Sequence, residues 1–545
     1  MTQDKKLPVK VTPTDEEHGI IDRPTSRRTF MKGAFTGAGA LALGAYTKGG
    51  LAAVPKRTAP RRLSNAMSSA ASTKRSGTLT AAMNTAPTAL DPAIANELTD
   101  YVSLRQVYDG LVQFTQDYSG IEPALAVSWS ANAANTEWTF NLRPNVKFHD
   151  GTPFNSSAVR QSILHYVANG DEAYYGSLKT IDDSDPLVVK ITLSEPAPDL
   201  AINQTWCKII SPKLLAQKNA ASNKAVGTGA YQWVSWVPEH SITLAANPNY
   251  WGPPAPYLDG IELTVVGNET ARVDALVSGS LDLIEQVDPH DLGLLVSDSK
   301  VRLSSSTNWE EICLLNICTE SPTSDVRVRQ AIAYGIDRNA LVRDVLLGQA
   351  SSATSPIPPG CYGYQTPSVH YDYNPSKARQ LLKEAGYPKG ISLDMAGSTD
   401  LATEELIGEA MVAQLAEAGI TVNFIVEDIG VLVSDVLSAH PKRQTYIIHY
   451  GWVGGGPWHF DVEDIFAHAK YTTPALMNLI HKCNTTPDGP KRLAYLLQAQ
   501  DLFMQQLPHF PLYNPINTDA FNSNVHGYIV DKDGWQPEFT YVSLA

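Results

Sequence analysis

Residues 138–154 read Trp138-Thr139-Phe140-Asn141-Leu142-Arg143-Pro144-Asn145-Val146-Lys147-Phe148-His149-Asp150-Gly151-Thr152-Pro153-Phe154. From Glu137 to Arg143 polar and apolar residues alternate, the period of a half-buried strand. Asp150-Gly151-Thr152-Pro153 makes a tight turn, so Phe140, Leu142 and Phe148 would line the buried side of a hairpin. Ser156 then starts a helix carrying Val159, Ile163, Leu164 and Val167. Upstream, 77–83 reads as a strand and 100–108 as a helix that ends at Asp109-Gly110. Downstream, 187–193 and 242–245 read as strands, and from Arg327 helices dominate. The pattern predicts one long amphipathic helix over 330–347 and a second over 376–385, stopped by Gly386. A third, 401–418, capped by Gly419, feeds the strand 420–425. Helix and strand in repeated order, after a strand-rich first half, predict an α/β fold with a mixed sheet.

With 545 residues the chain is too long for one compact core, and two or three domains are expected. Hydrophobic residues make up 43% and charged ones 18%, ordinary for a globular chain. The net charge is −14; residues 1–52 carry +3, which leaves −17 on the rest. A body that acidic lacks the basic face nucleic acid requires. Only one stretch, near the N-terminus, could enter a membrane, which excludes a multi-span transporter. Cys207, Cys313, Cys318, Cys361 and Cys483 show no CxxC and no zinc-like spacing with histidine, and packing roles are expected.

Ser26-Arg27-Arg28-Thr29-Phe30-Met31-Lys32 precedes a weakly apolar run, 34–46, with small residues following around 50–52. A charged region, a short apolar region and small residues form the layout of a cleavable signal. The paired arginines resemble the twin-arginine export signal. The expected organisation is a signal over 1–52 and a flexible leader over 53–76. No cysteine lies near the cleavage point to take a lipid. The mature protein is expected free in the periplasm, or secreted, exported by the twin-arginine machinery.

The quoted stretch closely resembles the signature of family 5 extracellular solute-binding proteins, receptors of bacterial ABC importers for peptides, opines, nickel and related solutes. Four further blocks match in the same order. They are Gly227-Thr228-Gly229-Ala230-Tyr231, Asn249-Tyr250-Trp251, the run from Val328 to Arg338, and the run from Ala378 to Tyr387. The resemblance spans about 77–545 and implies two lobes joined by crossing strands, with a domain inserted in the first, a type II-like arrangement. Mapped here, lobe I is 77–112, 207–315 and 508–545, the insert is 113–206 and lobe II is 316–507. It also implies hinge closure around a ligand, ABC permease subunits as partners, and a monomer. The blocks themselves read as scaffold, with Asp337-Arg338 as a local ion pair.

A cleft between lobes is the expected site. Its richest candidate is the loop holding Tyr450, Trp452, Gly454, Gly455, Trp458 and Asp461, where glycines admit close backbone approach and indoles stack and donate. In the family this loop lines the cleft. Many peptide receptors of the family have, shortly after the Trp, an Asp that pairs with the peptide's α-amino group. Here those positions are Gly454 to Gly456, which leaves opines and other polar solutes open beside peptides. Asn308, Trp309, Tyr362 and Glu97 are secondary candidates. The spacing of His449, His459 and His468 fits no metal site, and neither metal nor cofactor is expected. No GxxxxGK[ST], HExxH or GxSxG is present, and Gly227-Thr228-Gly229 lacks the rest of a dinucleotide fingerprint. A binding protein is therefore expected rather than an enzyme, with a chaperone-like peptide holder or a hydrolase on the same scaffold as alternatives.

Overall fold

The computed structural model describes residues 75, 77–95, 98–115, 120–169, 175–217, 223–306, 311–317, 321–359, 361, 363–398, 402–438, 441–451, 473–487, 489–530 and 537–545. A seven-stranded sheet runs in the order Val301–Ser305, Thr518–Asn522, Leu283–Ile284, Thr78–Met83, Gly260–Val265, Ser241–Ala246, Tyr231–Val237. Thr78–Met83 is parallel to both of its neighbours, and Leu79, Ala81, Ala82 and Met83 are buried. A strand covered on both faces reads as apolar rather than alternating, as this one does.

The strand of the opening stretch, Glu137–Leu142, belongs to a four-stranded antiparallel sheet, Ala126–Ala131, Glu137–Leu142, Val188–Leu193, Leu178–Asp185. It does not form the expected hairpin with the turn after it, which closes a separate bridge between Lys147 and Pro153. Trp138, Phe140 and Leu142 are buried while the residues between them face outward, as the period of two requires. Phe148 N donates to Thr152 O at 2.8 Å, and Gly151 sits at φ +82°, where a side chain would be strained. The following helix, Ser156–Ala168, is capped by Asn155, whose Oδ1 accepts from Ala158 N at 3.0 Å. Val159 and Ile163 are buried, whereas Leu164 and Val167 face solvent.

A six-stranded mixed sheet forms the second half: Ala350–Ser352, His509–Pro515, Glu311–Ile317, Thr445–Gly451, Ile391–Ser398, Ile420–Glu427. The pairs from Ala350–Ser352 to Thr445–Gly451 are antiparallel, and Ile391–Ser398 is parallel to both neighbours. One apolar core fills the region of the first two sheets, a smaller one lies between the seven-stranded sheet and the helices Glu269–Ser278 and Leu292–Ser297, and a separate one surrounds the third sheet. The mixed sheet and the α/β class are as expected from the helix–strand order.

Two expectations need correction. The segment 330–347 is not one helix: Val326–Gly335 ends, and Arg338–Ala340 begins after Asp337, whose Oδ1 caps Ala340 N at 3.0 Å. A side chain that caps a new helix start interrupts the old one. The Asp337–Arg338 ion pair is not formed either. The Arg338 guanidinium turns inward, donates to the carbonyls of Ala353, Pro511 (3.3 Å) and Tyr371 (2.9 Å), and lies 4.9 Å from the Phe510 ring centroid.

Among the described residues, the chain leaves the first half at Ser306, enters the second at Glu311, and returns over 515–518. The crossings are neighbours: Ser306 N donates to Asn517 O at 2.8 Å, and the Ser305 and Thr518 hydroxyls lie 2.6 Å apart. Segments 311–315 and 508–515, which the sequence reading groups with the first lobe, supply strands to the six-stranded sheet. Cross-strand pairing there, with Cys313, Leu315 and Phe510 buried in the second core, decides their side.

Candidate functional site

The central strand Glu311–Ile317 leaves the crossing and pairs antiparallel with Thr445–Gly451, so that Glu311 faces Gly451 and Ile312 faces Tyr450. One strand begins directly after 307–310, and its partner ends directly before 452. The two sequence segments nominated as ligand contacts therefore attach at the same end of one strand pair, beside the Ser306–Asn517 bond. Of the candidates themselves, Tyr450 lies in the strand Thr445–Gly451. Glu97, Asn308, Trp309, Tyr362, Trp452, Gly454, Gly455, Trp458 and Asp461 lie outside the described residues.

Beneath that strand end is a buried polar group the sequence did not nominate. His449 is buried, with its Nε2 3.2 Å from Tyr513 Oη and 3.6 Å from Glu404 Oε1. Glu404 Oε2 accepts from Ser398 N. The group ties the ends of three strands to the helix Ala402–Glu417, whose first turn holds Glu404. Buried polar atoms satisfied in this way hold a site wall in one geometry. In the sequence, His449 stood out only as a weak metal candidate. Among the described residues no group of three or more His, Cys, Asp or Glu is placed to hold a metal ion.

The first half contains a cavity of about 400 Å³ walled by Trp206, Tyr250, Trp251 and Tyr541, with Asp109 and Lys208 among its polar residues. Asp109 Oδ2 accepts from Thr228 Oγ1 and from Trp251 Nε1, each at 2.7 Å. Burial raises the Asp109 carboxyl, and these two bonds oppose that shift. Arg143 stands 4.5 Å from the Trp251 ring centroid. The sequence blocks around 228 and 251 thus meet on one carboxylate as scaffold, and the block around 143 joins them through the Trp251 ring. A Cβ at Gly227 or Gly229 would collide with backbone at the end of the helix Leu98–Val107, so this glycine pair serves close packing. The cavity was not legible in the chain because its lining runs from Arg105 to Tyr541.

Lys208 is buried, donates to Thr205 O at 2.8 Å, and is pushed down to about 8, chiefly by burial and then by neighbouring Arg105. An unfolded lysine keeps its proton to the ordinary 10.5, so between pH 8 and 10.5 the unfolded chain binds the extra proton and stability rises with pH. Lys208→Met is expected to flatten that rise. Denaturant midpoints measured across the same pH window check it.

Residues 120–472 match the model of bacterial extracellular solute-binding proteins, family 5 Middle. The chain belongs to that family. Heme-binding protein A of Haemophilus influenzae is 28% identical over 493 residues, covering 83% of this chain and 89% of its own. Glutathione-binding protein GsiB of Escherichia coli K12 is 27% identical over 465 residues, with 82% and 90% covered. Among solved structures, the ABC transporter-associated periplasmic binding protein DppA from Helicobacter pylori, in complex with peptide STSA, matches with a TM-score of 0.77. That match has 25% identity and covers 87% of this chain and 99% of that one. This family 5 receptor has the two-lobed periplasmic binding protein fold and is the substrate-binding component of an ABC importer. Its relatives are transport proteins rather than enzymes. No helix among the described residues is long and apolar enough to cross a membrane.

Proposed function

We propose that this receptor captures a peptide or similar polar solute, opines included, in a cleft at the crossing between its two halves, and delivers it unchanged to the permease. The observation that carries the reading is the pairing of Glu311 with Gly451 beside the Ser306–Asn517 bond. It joins the flanks of the two segments whose aromatic and glycine residues suit a ligand: Asn308 and Trp309 on one, Trp452, Gly454, Gly455, Trp458 and Asp461 on the other. Tyr450, Tyr362 and Glu97 complete the proposed contacts. Relatives that carry glutathione-binding and heme-binding names, and a structural neighbour holding the peptide STSA, support a solute of peptide size. The glycines at 454–456, where an α-amino partner would stand, favour a solute whose charge is met elsewhere.

The receptor works in the periplasm as a monomer, after twin-arginine export, removal of the signal over 1–52 and release without a lipid anchor. The domain division follows the expected map, with 311–317 and 509–515 counted in the second lobe. Closure is a rotation about the two crossings, since the halves have separate cores. Mass spectrometry of the solute that copurifies with the folded protein identifies the ligand. Titration with that solute is expected to give a saturable tryptophan fluorescence change, no product, and a smaller radius of gyration by small-angle scattering. Turnover of the solute, or an unchanged scattering profile at saturation, would overturn the reading.

A further inference from the structure

Arg492 lies in the first turn of the helix Pro490–Gln506, which packs into the second core through Leu496, Ala499, Phe503 and Met504. Its side chain is fully buried. Nε donates to Cys483 O at 2.8 Å, a carbonyl of the adjacent helix Pro474–Thr485. Nη1 donates to Asp199 Oδ1 at 2.8 Å, and Nη2 donates to Asp199 Oδ2. Asp199 belongs to the other half: it immediately precedes the helix Leu200–Asn203, whose Leu200 and Ala201 pack in the first core. The two residues are 293 positions apart in the chain, and their bond is a two-pronged one between opposite charges.

This contact differs in kind from the crossings. The crossings are covalent chain and persist in any arrangement of the halves. The Asp199–Arg492 pair exists only while the halves are apposed. When they separate, water takes both charges readily, whereas an apolar contact of equal area would pay to be exposed. A buried ion pair gains little net stability over solvated ions but is costly to leave half-made. Such a pair is suited to reversible closing. The Cys483 carbonyl holds the Arg492 guanidinium within its own half, so one partner stays oriented when the other leaves.

We propose that Asp199–Arg492 is a reversible latch that sets the balance between apposed and separated halves before any ligand arrives. The inference rests on the closure described under the proposed function, but not on the identity of the solute. Favouring the apposed arrangement raises the resting population of that state, so loss of the latch shifts the equilibrium without removing a ligand contact.

The test uses full-length mature protein without ligand. Spin labels are placed on cysteines introduced at Val127 and Val431, exposed positions in the four-stranded sheet and in the helix Ile429–Leu437. Double electron–electron resonance then reads the distance between the halves in a Cys318→Ser background, in which the remaining Cys207, Cys313, Cys361 and Cys483 are buried. Asp199→Ala is expected to move the ratio of long to short distances by about tenfold or more. Asp199→Asn keeps the shape and removes the charge; it should shift the ratio the same way by less, and it decides the matter should the alanine variant not fold. A part played only in stability would lower the melting temperature and leave the distances unchanged. Wild-type distances in folded Asp199→Asn, with or without a lower melting temperature, would overturn the latch. A shift with no peptide binding would leave the latch standing and remove the solute class instead.

Discussion

Trp452→Ala is expected to weaken solute binding by about 30- to 1000-fold while leaving the melting temperature nearly in place. The indole follows directly on Gly451, the end of the strand that pairs with Glu311–Ile317 at the crossing. In the proposed cleft the indole supplies a stacking face and one N–H donor, and removing both should cost roughly 2–4 kcal/mol, the scale of an interface hot spot. A core tryptophan behaves otherwise. Its truncation costs roughly 3–5 kcal/mol of stability and leaves affinity almost untouched. Calorimetric titration with the copurifying solute, and a melting curve on the same preparation, separate the two. A variant that melts far earlier yet binds normally would move Trp452 into the core and withdraw the site.

Replacing Arg27 and Arg28 together by lysine is expected to abolish accumulation of mature protein in the periplasm. The exchange preserves both positive charges ahead of the apolar run 34–46, so any loss reports the guanidinium groups and not simple charge. A general secretory signal needs only a positive region before its apolar segment and would tolerate the change. Immunoblotting of cytoplasmic and periplasmic fractions checks the outcome. The uncleaved precursor should remain in the cytoplasm, and normal periplasmic protein from the double variant would refute the export route.

Local sequence signals are legible where one strand or turn decides its own geometry. Phe140 and Leu142 are buried because alternate side chains of a strand must share a face. Gly151 and Gly419 stand at positive φ, where only glycine is unstrained. The helix over 330–347 failed because periodicity carries no sign of the Asp337 cap that divides it. Arg338 departs from its expected ion pair for a related reason. Its neighbour in sequence offered a charge, but its neighbours in space offered three carbonyls.

The sequence by itself determined the α/β class, the strand over 137–142, the glycine-marked turns and the family, because these rest on residues close together in the chain or on ordered blocks of them. Only the tertiary structure decided which sheet receives 311–317 and 509–515, since strand pairing joins segments almost two hundred residues apart. It alone brought Glu404 and Tyr513 to His449, and Arg492 to Asp199. Side chains distant in the chain leave no common period or spacing, and their partnership is fixed by burial: once the cores exclude water, each buried charge must find its partner there.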